Sequence, residues 1–219
     1  VEEVGVGADL VVLATPDAAI AAAAAALAPA LRTGALVLHL SGACTLDDLH
    51  KLRVARPDVE VGSLHPLQSL PSYEAGVERL PGSWCAVAGP PEVERIALSL
   101  GMRPFRVSDA DRVTYHAAAS IASNHLVALL AQAARVADRA GVPPAALLPL
   151  VRATIDNVEE LGTAGALTGP IARGDIDTVR DHLAALPDDE LGAYRALARE
   201  ALRVSERDDP HLAHVLGDT

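Results

Sequence analysis

The chain is short of every feature that marks a nucleic-acid binder. Its 219 residues include only five aromatic side chains (Tyr73, Trp84, Phe105, Tyr115 and Tyr194), and acids outnumber bases 29 to 18, for a net charge of -11. Stacking platforms and a basic footprint are both missing, so nucleic acid is not an expected partner. A single lysine, Lys51, stands beside seventeen arginines. It falls in a charged helix read over residues 45–56, so it reads as solvated surface and not as a catalytic amine. The two cysteines, Cys44 and Cys85, form neither a metal-ligand spacing nor a disulfide framework, which fits a reducing cytoplasm and leaves no metal site to expect. Long apolar runs are scarce too. Residues 18–31 are mostly alanine, are broken by Pro29 and are too short for a bilayer, so neither a membrane span nor a signal peptide is read.

What the chain does have is apolar sequence, half of all residues, and a sharp change of pattern midway. Short runs at residues 8–15, 35–40, 59–64, 84–88 and 103–107 read as strands. Each ends in a turn signal, and helical periodicity follows at residues 16–32, 45–56 and 92–100. That alternation argues for a largely parallel sheet with helices on its faces. After Ser108 the periodicity is helical almost to the end. One long helix is expected from about Asp109 to Ala140, stopped by Gly141 and Pro143-Pro144, and a second over residues 144–161. Residues 162–175 read as irregular, two more helices are expected near 176–186 and 188–207, and the tail from Asp208 reads as loosely held. The fold class is therefore α/β followed by all-α, divided into residues 1–108 and 109–219. Residues 4–9 place glycines at Gly5 and Gly7, but Leu10 stands where a third would be needed, and the run precedes a strand instead of following one. It is not read as a phosphate loop.

Four stretches carry candidate chemistry. Thr15-Pro16 and Ser41-Gly42-Ala43 close the first two strands, and in open α/β sheets ligands sit beyond the carboxyl ends of strands. Each could equally be only a helix start or a turn. His65-Pro66 ends the third strand, where an imidazole can exchange protons with a substrate hydroxyl or carbonyl at neutral pH. The most pointed feature is His116, Ser120 and Asn124, spaced i, i+4 and i+8 in an apolar helical run and so projecting from nearly one face. Three buried polar groups without partners would cost about 1–3 kcal/mol each, so a ligand site is a candidate beside plain helix packing. In the loop Leu167-Thr168-Gly169-Pro170-Ile171-Ala172-Arg173-Gly174-Asp175, Arg173 could bind an anion or simply fasten the loop to Asp175.

In this order the motifs resemble a family of uncharacterised bacterial Rossmann-like oxidoreductases whose second half is similar to the C-terminal domain of 6-phosphogluconate dehydrogenase. The resemblance rests on residues 8–17, Ser41-Gly42-Ala43, Ser63-Leu64-His65-Pro66-Leu67-Gln68, Tyr115-His116-Ala117-Ala118-Ala119 with Ala122-Ser123-Asn124, and residues 167–175, and it spans essentially the whole chain. More distantly similar are ketopantoate reductases, β-hydroxyacid dehydrogenases, pyrroline-5-carboxylate reductases and prephenate dehydrogenases. The resemblance implies an NAD(P)-binding sheet domain, followed by a helical domain that contributes substrate contacts and a homodimer interface. In ketopantoate reductases a lysine and two asparagines line the interdomain cleft at the four-residue spacing that His116, Ser120 and Asn124 show here. The histidine in the lysine's place is not a permanent cation, so that particular reaction does not carry over. His65-Pro66 is similar to the His-Pro of prephenate dehydrogenases, where the histidine meets the hydroxyl that is oxidised.

A complete member of such a family would place a strand, a glycine-rich turn, a helix and another strand before Ala8. The sequence in hand reads as the C-terminal part of a Rossmann-like domain, and weak or absent dinucleotide binding is expected of it. The expected function is an NAD- or NADP-dependent oxidoreductase acting on a small carbonyl or hydroxy compound. His116 would be acid or base, Ser120 and Asn124 would orient substrate, and His65 would assist. Thr15, Pro16, Ser41, Gly42 and Ala43 would face the cofactor, and Thr168 and Arg173 the substrate. The rival reading is a ligand-sensing or dimerising scaffold that keeps the fold without the chemistry.

Overall fold

The computed structural model describes residues 6–217. Val4 and Gly5 of the first glycine-bearing stretch lie outside them. The chain divides into two compact units, one ending at Leu126 and the other beginning at Val127. The secondary structure turns wholly helical after Ser108, but the first turns of the helical run pack with the sheet, so the units part later than residue 108.

The first unit is a five-stranded sheet in the order β1 (Leu10–Leu13), β2 (Leu36–His39), β3 (Glu60–Pro66), β4 (Trp84–Ala88), β5 (Arg103–Arg106). β1, β2 and β3 are parallel. β4 pairs antiparallel with β3, and β5 follows β4 in parallel. The expectation of a largely parallel sheet holds, with one antiparallel pairing that the sequence does not show. The sheet is parallel-dominated, and its last two strands run opposite to the first three. Alternation of side chains is the same for either direction, so the pattern could not show it.

Alternation also explains the two layers. Val11, Leu13, Val37 and Val61 face α1 (Asp17–Leu27) and α2 (His50–Ala55), packing with Ile20, Ala24, Leu49 and Leu52. Leu36, Leu38, Leu64 and Val87 point the other way, onto Val93 and Ala97 of α4 (Pro91–Ser99). The connection from β3 to β4 carries α3 (Tyr73–Arg79). Thr45 opens the α2 region with a reciprocal cap: its hydroxyl accepts from Asp47 N while Asp48 accepts from Thr45 N. Lys51 is exposed, as a surface lysine should be.

The long helix expected over residues 109–140 is interrupted. A 3₁₀ turn at Asp109–Asp111 leads into α5 (Arg112–Ser120), a π-helical turn occupies Ile121–His125, and α6 (Leu126–Arg139) resumes. A π turn carries an extra residue per hydrogen-bonded ring, so the residues after Ser120 do not follow the plain α-helical spacing on which the stripe rests. By length and composition alone residues Asp109–Arg139 would suffice to cross a bilayer, which corrects the expectation that no segment is long and apolar enough. Its first turns instead lie against the sheet.

The second unit holds α6, α7 (Leu148–Ala166), α8 (Pro170–Arg173), α9 (Ile176–Ala185), α10 (Asp188–Val204) and α11 (Pro210–Val215). α7 runs past the expected end at Leu161 and kinks at Gly162, whose φ of 71° only glycine adopts cheaply. Most of the loop expected over residues 162–175 is thus helical. The tail is not loose either: Asp209 caps α11, and Leu212 and Leu216 are fully buried with Ile171, Val179, Ala198 and Leu202. Two leucines at i and i+4 give even a six-residue helix an apolar anchor.

Candidate functional site

Two strands deliver polar side chains to one end of the sheet. His39 closes β2, and its register partner on β3 is Ser63. Side chains alternate, so Val37, His39, Val61, Ser63 and His65 share the face covered by α1 and α2, with the polar members at the carboxyl end. His39 and Ser63 are completely buried, and neither finds a hydrogen-bond partner for its side-chain polar atoms.

α5 closes this end from above. Arg112 is also completely buried; its Nη2 donates to the Ser41 carbonyl at 2.9 Å, while Nε and Nη1 find no partner. One turn on, His116 is half-buried and its Nδ1 is enclosed without a partner. Between them, Tyr115 Oη lies 2.6 Å from His65 Nδ1. The His65 ring is edge-on to both Tyr115 and His116, at centroid distances of 5.6 and 6.0 Å. Phe105 abuts Tyr115 in turn, and Trp84 abuts Phe105, so three of the chain's five aromatics line up behind one imidazole.

Gly42 is the keystone of this packing. A Cβ there would stand 2.5 Å from His116 Nδ1 and 2.9 Å from His65 Cε1 and Nε2, so only glycine lets the strand-end loop lie against both rings. Ser41 shapes the same loop, its hydroxyl accepting from Ala43 N at 3.1 Å and Cys44 N at 2.9 Å.

The electrostatics follow from burial. Desolvation pushes both His39 and His65 down to about 4; Arg112 adds to both shifts, while His116 outranks it at His65. Asp48 and Asp17 oppose the shift at His39. Burial pushes the Tyr115 phenol up to about 12, against the pull of Arg112. At neutral pH the site therefore holds neutral imidazoles and a protonated phenol beside a buried guanidinium. Burial lowers Arg112 from its usual range without neutralising it, because a guanidinium stays charged.

Of the residues singled out from sequence, His65, His116 and Gly42 come together, with Ser41 and Ala43 in the adjoining loop. Ser120 is half-buried one turn beyond His116, and Asn124 is exposed in the π turn. Thr15 and Pro16 are exposed at the carboxyl end of β1. Thr168 and Arg173 belong to the helical unit. Thr168 is exposed, and Arg173 reaches Asp175 at 3.9 Å. Asp175 is itself occupied as the cap of α9, accepting from Thr178 N and Oγ1 at 3.1 and 2.8 Å. Sequence reasoning missed Arg112, Tyr115 and His39. Arg112 was within reach, since it stands four residues before His116 and simply extends the stripe by one turn. Among the described residues no cluster of three or more His, Cys, Asp or Glu could hold a metal.

A dinucleotide asks two things of such a sheet: backbone N–H groups for the pyrophosphate, and room with donors for the reactive ring. Among the described residues no strand-to-helix turn is glycine-rich. The one after β1 reads Ala14-Thr15-Pro16-Asp17, and Asp17 in the first turn repels an anion. The ring side fits better, with exposed Thr15 and Pro16, the Gly42 backbone and the unpartnered His116 Nδ1 along one edge.

Residues 86–201, more than half of the chain, match the model of a domain of unknown function, DUF2520. The chain belongs to that family. Its fold is shared with a Bacteroides fragilis protein proposed to be an NADP oxidoreductase, BF3122, at 25% identity and a TM-score of 0.72 over 91% of this chain and 76% of that one. Protein TM1727 of Thermotoga maritima is similar at 26% identity and a TM-score of 0.74, covering 91% of this chain and 80% of that one. An NADP-bound pyrroline carboxylate reductase of Plasmodium falciparum, 9% identical over 93% of this chain and 80% of that one, shares the fold at a TM-score of 0.59. No protein of curated function matches in sequence. The family thus has a Rossmann-like sheet followed by a helical C-terminal region, as the motifs suggested, and it shares that fold with proteins described as an NADP oxidoreductase and a pyrroline carboxylate reductase.

Proposed function

We propose that this protein is an NAD- or NADP-dependent oxidoreductase of a small carbonyl or hydroxy compound, with its proton chemistry at His116 and His65. The observation that carries the proposal is the enclosed, unpartnered Nδ1 of His116 beside His65 and against Gly42. A buried nitrogen without a partner is costly, and a substrate oxygen would satisfy it. A nicotinamide, when bound, supplies or accepts the hydride.

The chain's own residues do the rest. Thr15, Pro16, Ser41, Gly42 and Ala43 hold the ring side of the cofactor at the ends of β1 and β2. His116 gives a proton to the substrate oxygen on reduction and takes it back on oxidation. Tyr115, protonated at neutral pH, donates to His65 Nδ1 and so fixes the tautomer that carries its proton on Nε2, the atom turned toward Gly42. His65 then acts as a second donor to the same oxygen. Burial first, then His116 and Arg112, hold His65 neutral, so that second donor is an imidazole and not an imidazolium. Ser120 and Asn124 orient the substrate from the next turns.

The test uses the full-length encoded protein. Thermal shift with NAD⁺, NADH, NADP⁺ and NADPH should show stabilisation by at least one, since a ligand bound only by the folded state raises its stability. With a substrate in hand, His116→Ala should lower kcat about 10²-fold or more, the usual worth of a general acid or base. Stabilisation by none of the four would sink the proposal and leave a scaffold that keeps the fold without the chemistry. Undiminished turnover of His116→Ala would remove that residue from it.

A further inference from the structure

Arg112 is completely buried at the start of α5, and a guanidinium cannot shed its charge. Glu190, also buried, has what such a group ordinarily needs: Arg135 bonds both of its carboxylate oxygens, at 2.6 and 3.0 Å. Arg112 has only a neutral carbonyl, that of Ser41 at 2.9 Å, and nothing at Nε or Nη1. The acids whose fields reach this corner are Asp109 at Arg112 itself, and Asp48 and Asp17 at His39. All three are exposed, and water screens an exposed carboxylate, so none of them stands in for an ion in contact. A buried charge without a partner is among the costliest features a fold can keep.

The groups beside it are donors. His39 and Ser63 are register partners on β2 and β3, so their side chains leave one face of the sheet about 5 Å apart. Ser41, whose carbonyl holds the guanidinium, lies two residues beyond His39. After burial itself, the Arg112 charge is what most depresses the His39 imidazole, which places the two side chains together. Ser63 Oγ and both His39 ring nitrogens are enclosed and unpartnered, like Arg112 Nε and Nη1. A serine hydroxyl can turn its proton to suit, and a neutral imidazole carries one N–H. A positive charge ringed by free donors repels a metal ion and attracts an anion.

We infer that Arg112, Ser63 and His39 form an internal binding site for one small monovalent anion of the halide class, which offsets the guanidinium charge and ties α5 to the ends of β2 and β3. One unmet charge calls for one charge supplied, so the ion is monovalent. The donor atoms are all closed off from solvent, which leaves no path for a carboxylate or phosphate carried on a larger molecule. The ion is therefore a free one of about the size of chloride. It is also separate from the substrate oxygen assigned to His116, whose Nδ1 lies one helical turn further on against Gly42. A halide accepts hydrogen bonds from every side, so it can meet donors that arrive from a helix and two strands without asking for a fork of fixed geometry.

The test follows thermal unfolding of the full-length protein, without cofactor or substrate, as sodium gluconate is exchanged for sodium chloride or bromide at a constant ionic strength of about 0.1 M, so that screening stays fixed. The melting temperature should rise by about 3–10 °C and level off as one site fills. Arg112→Met should abolish that rise. Should this variant not fold, Ser63→Ala measures the same site: losing one donor to a charged acceptor should raise the halide concentration at half-effect about tenfold or more. Crystals grown in sodium bromide should show an anomalous peak in contact with the Arg112 guanidinium. A melting temperature indifferent to halide would overturn the inference and leave the donors to water. A rise that survives in Arg112→Met, or a bromide crystal without the peak, would overturn it too, as would stabilisation by sodium acetate where chloride has no effect. With neither cofactor nor substrate present, none of these outcomes depends on the oxidoreductase reading.

Discussion

The carboxyl end of the sheet and the loop before α9 are both rich in polar groups, yet they treat those groups in opposite ways. At the loop, Asp175 caps α9 through Thr178 and meets Arg173, so every charge has a local use. At the sheet end, His39, Ser63, Arg112 and His116 are enclosed with polar atoms that no neighbour satisfies. Unmet buried hydrogen bonds cost stability, and natural folds keep few of them. The difference separates polarity that finishes a helix from polarity left unmet at the sheet end, and groups of the second kind gather at functional sites.

The comparison breaks first at Gly42. If the sheet end is a prearranged site, Gly42→Ala should damage it more than any loop change, because the new methyl meets two rings. Neither ring can yield cheaply, since His65 is held by Tyr115 and His116 is enclosed by the fold. Turnover should fall about 10²-fold, because a 1 Å displacement of catalytic groups costs that much. Stability should fall by about 1–3 kcal/mol, the usual cost of overpacking. Full activity in Gly42→Ala would show that the two rings need no fixed spacing, and the sheet end would then resemble the loop.

Much of this contrast could be read in the residues, and some could not. The strands stood out because short apolar runs ended at Thr15-Pro16, Ser41-Gly42 and His65-Pro66. His39 was hidden inside Leu36-Val37-Leu38-His39-Leu40, where alternation should have marked it as the polar member of a buried face. Arg112 is not singled out by the sequence reading, although it stands four residues before His116 and extends that stripe by one turn. The direction of β4 has no signature in side-chain alternation. Nor has the π turn, since Ile121-Ala122-Ser123-Asn124-His125 would suit an α-helix equally well. The tail was misjudged by its polar residues, when Asp209-Pro210 and the spacing of Leu212 and Leu216 describe a capped, anchored helix.

Acid sharpens the comparison next. His39 and His65 are held near 4 in the folded protein against 6.5 when unfolded, so the unfolded state binds more protons as the pH drops. Their contribution to stability is fully present above about pH 6.5 and is lost as the pH falls through 4. Together they should cost the protein a few kcal/mol over that window. Denaturant unfolding at pH 7.0, 6.0 and 5.0 would measure it, and His39→Gln should flatten the slope by removing one titrating group. An unchanged slope would mean that His39 keeps its proton equilibrium on folding, and that the sheet end is less strained than its unmet bonds imply.

The smallest effects belong to the loop, and they decide whether its polarity is purely structural. Asp175→Ala removes the side chain that accepts from Thr178 N, so about 1 kcal/mol of stability should go with it. Arg173→Ala should cost under about 0.5 kcal/mol, because its side chain is 64% exposed and lies 3.9 Å from the carboxylate, where ion pairs contribute little. Neither change should alter KM or kcat by more than about twofold if the loop only finishes α9. A KM that rises tenfold in Arg173→Ala with unchanged stability would give the loop a share of substrate binding, through a cation that its structural duties hold only loosely.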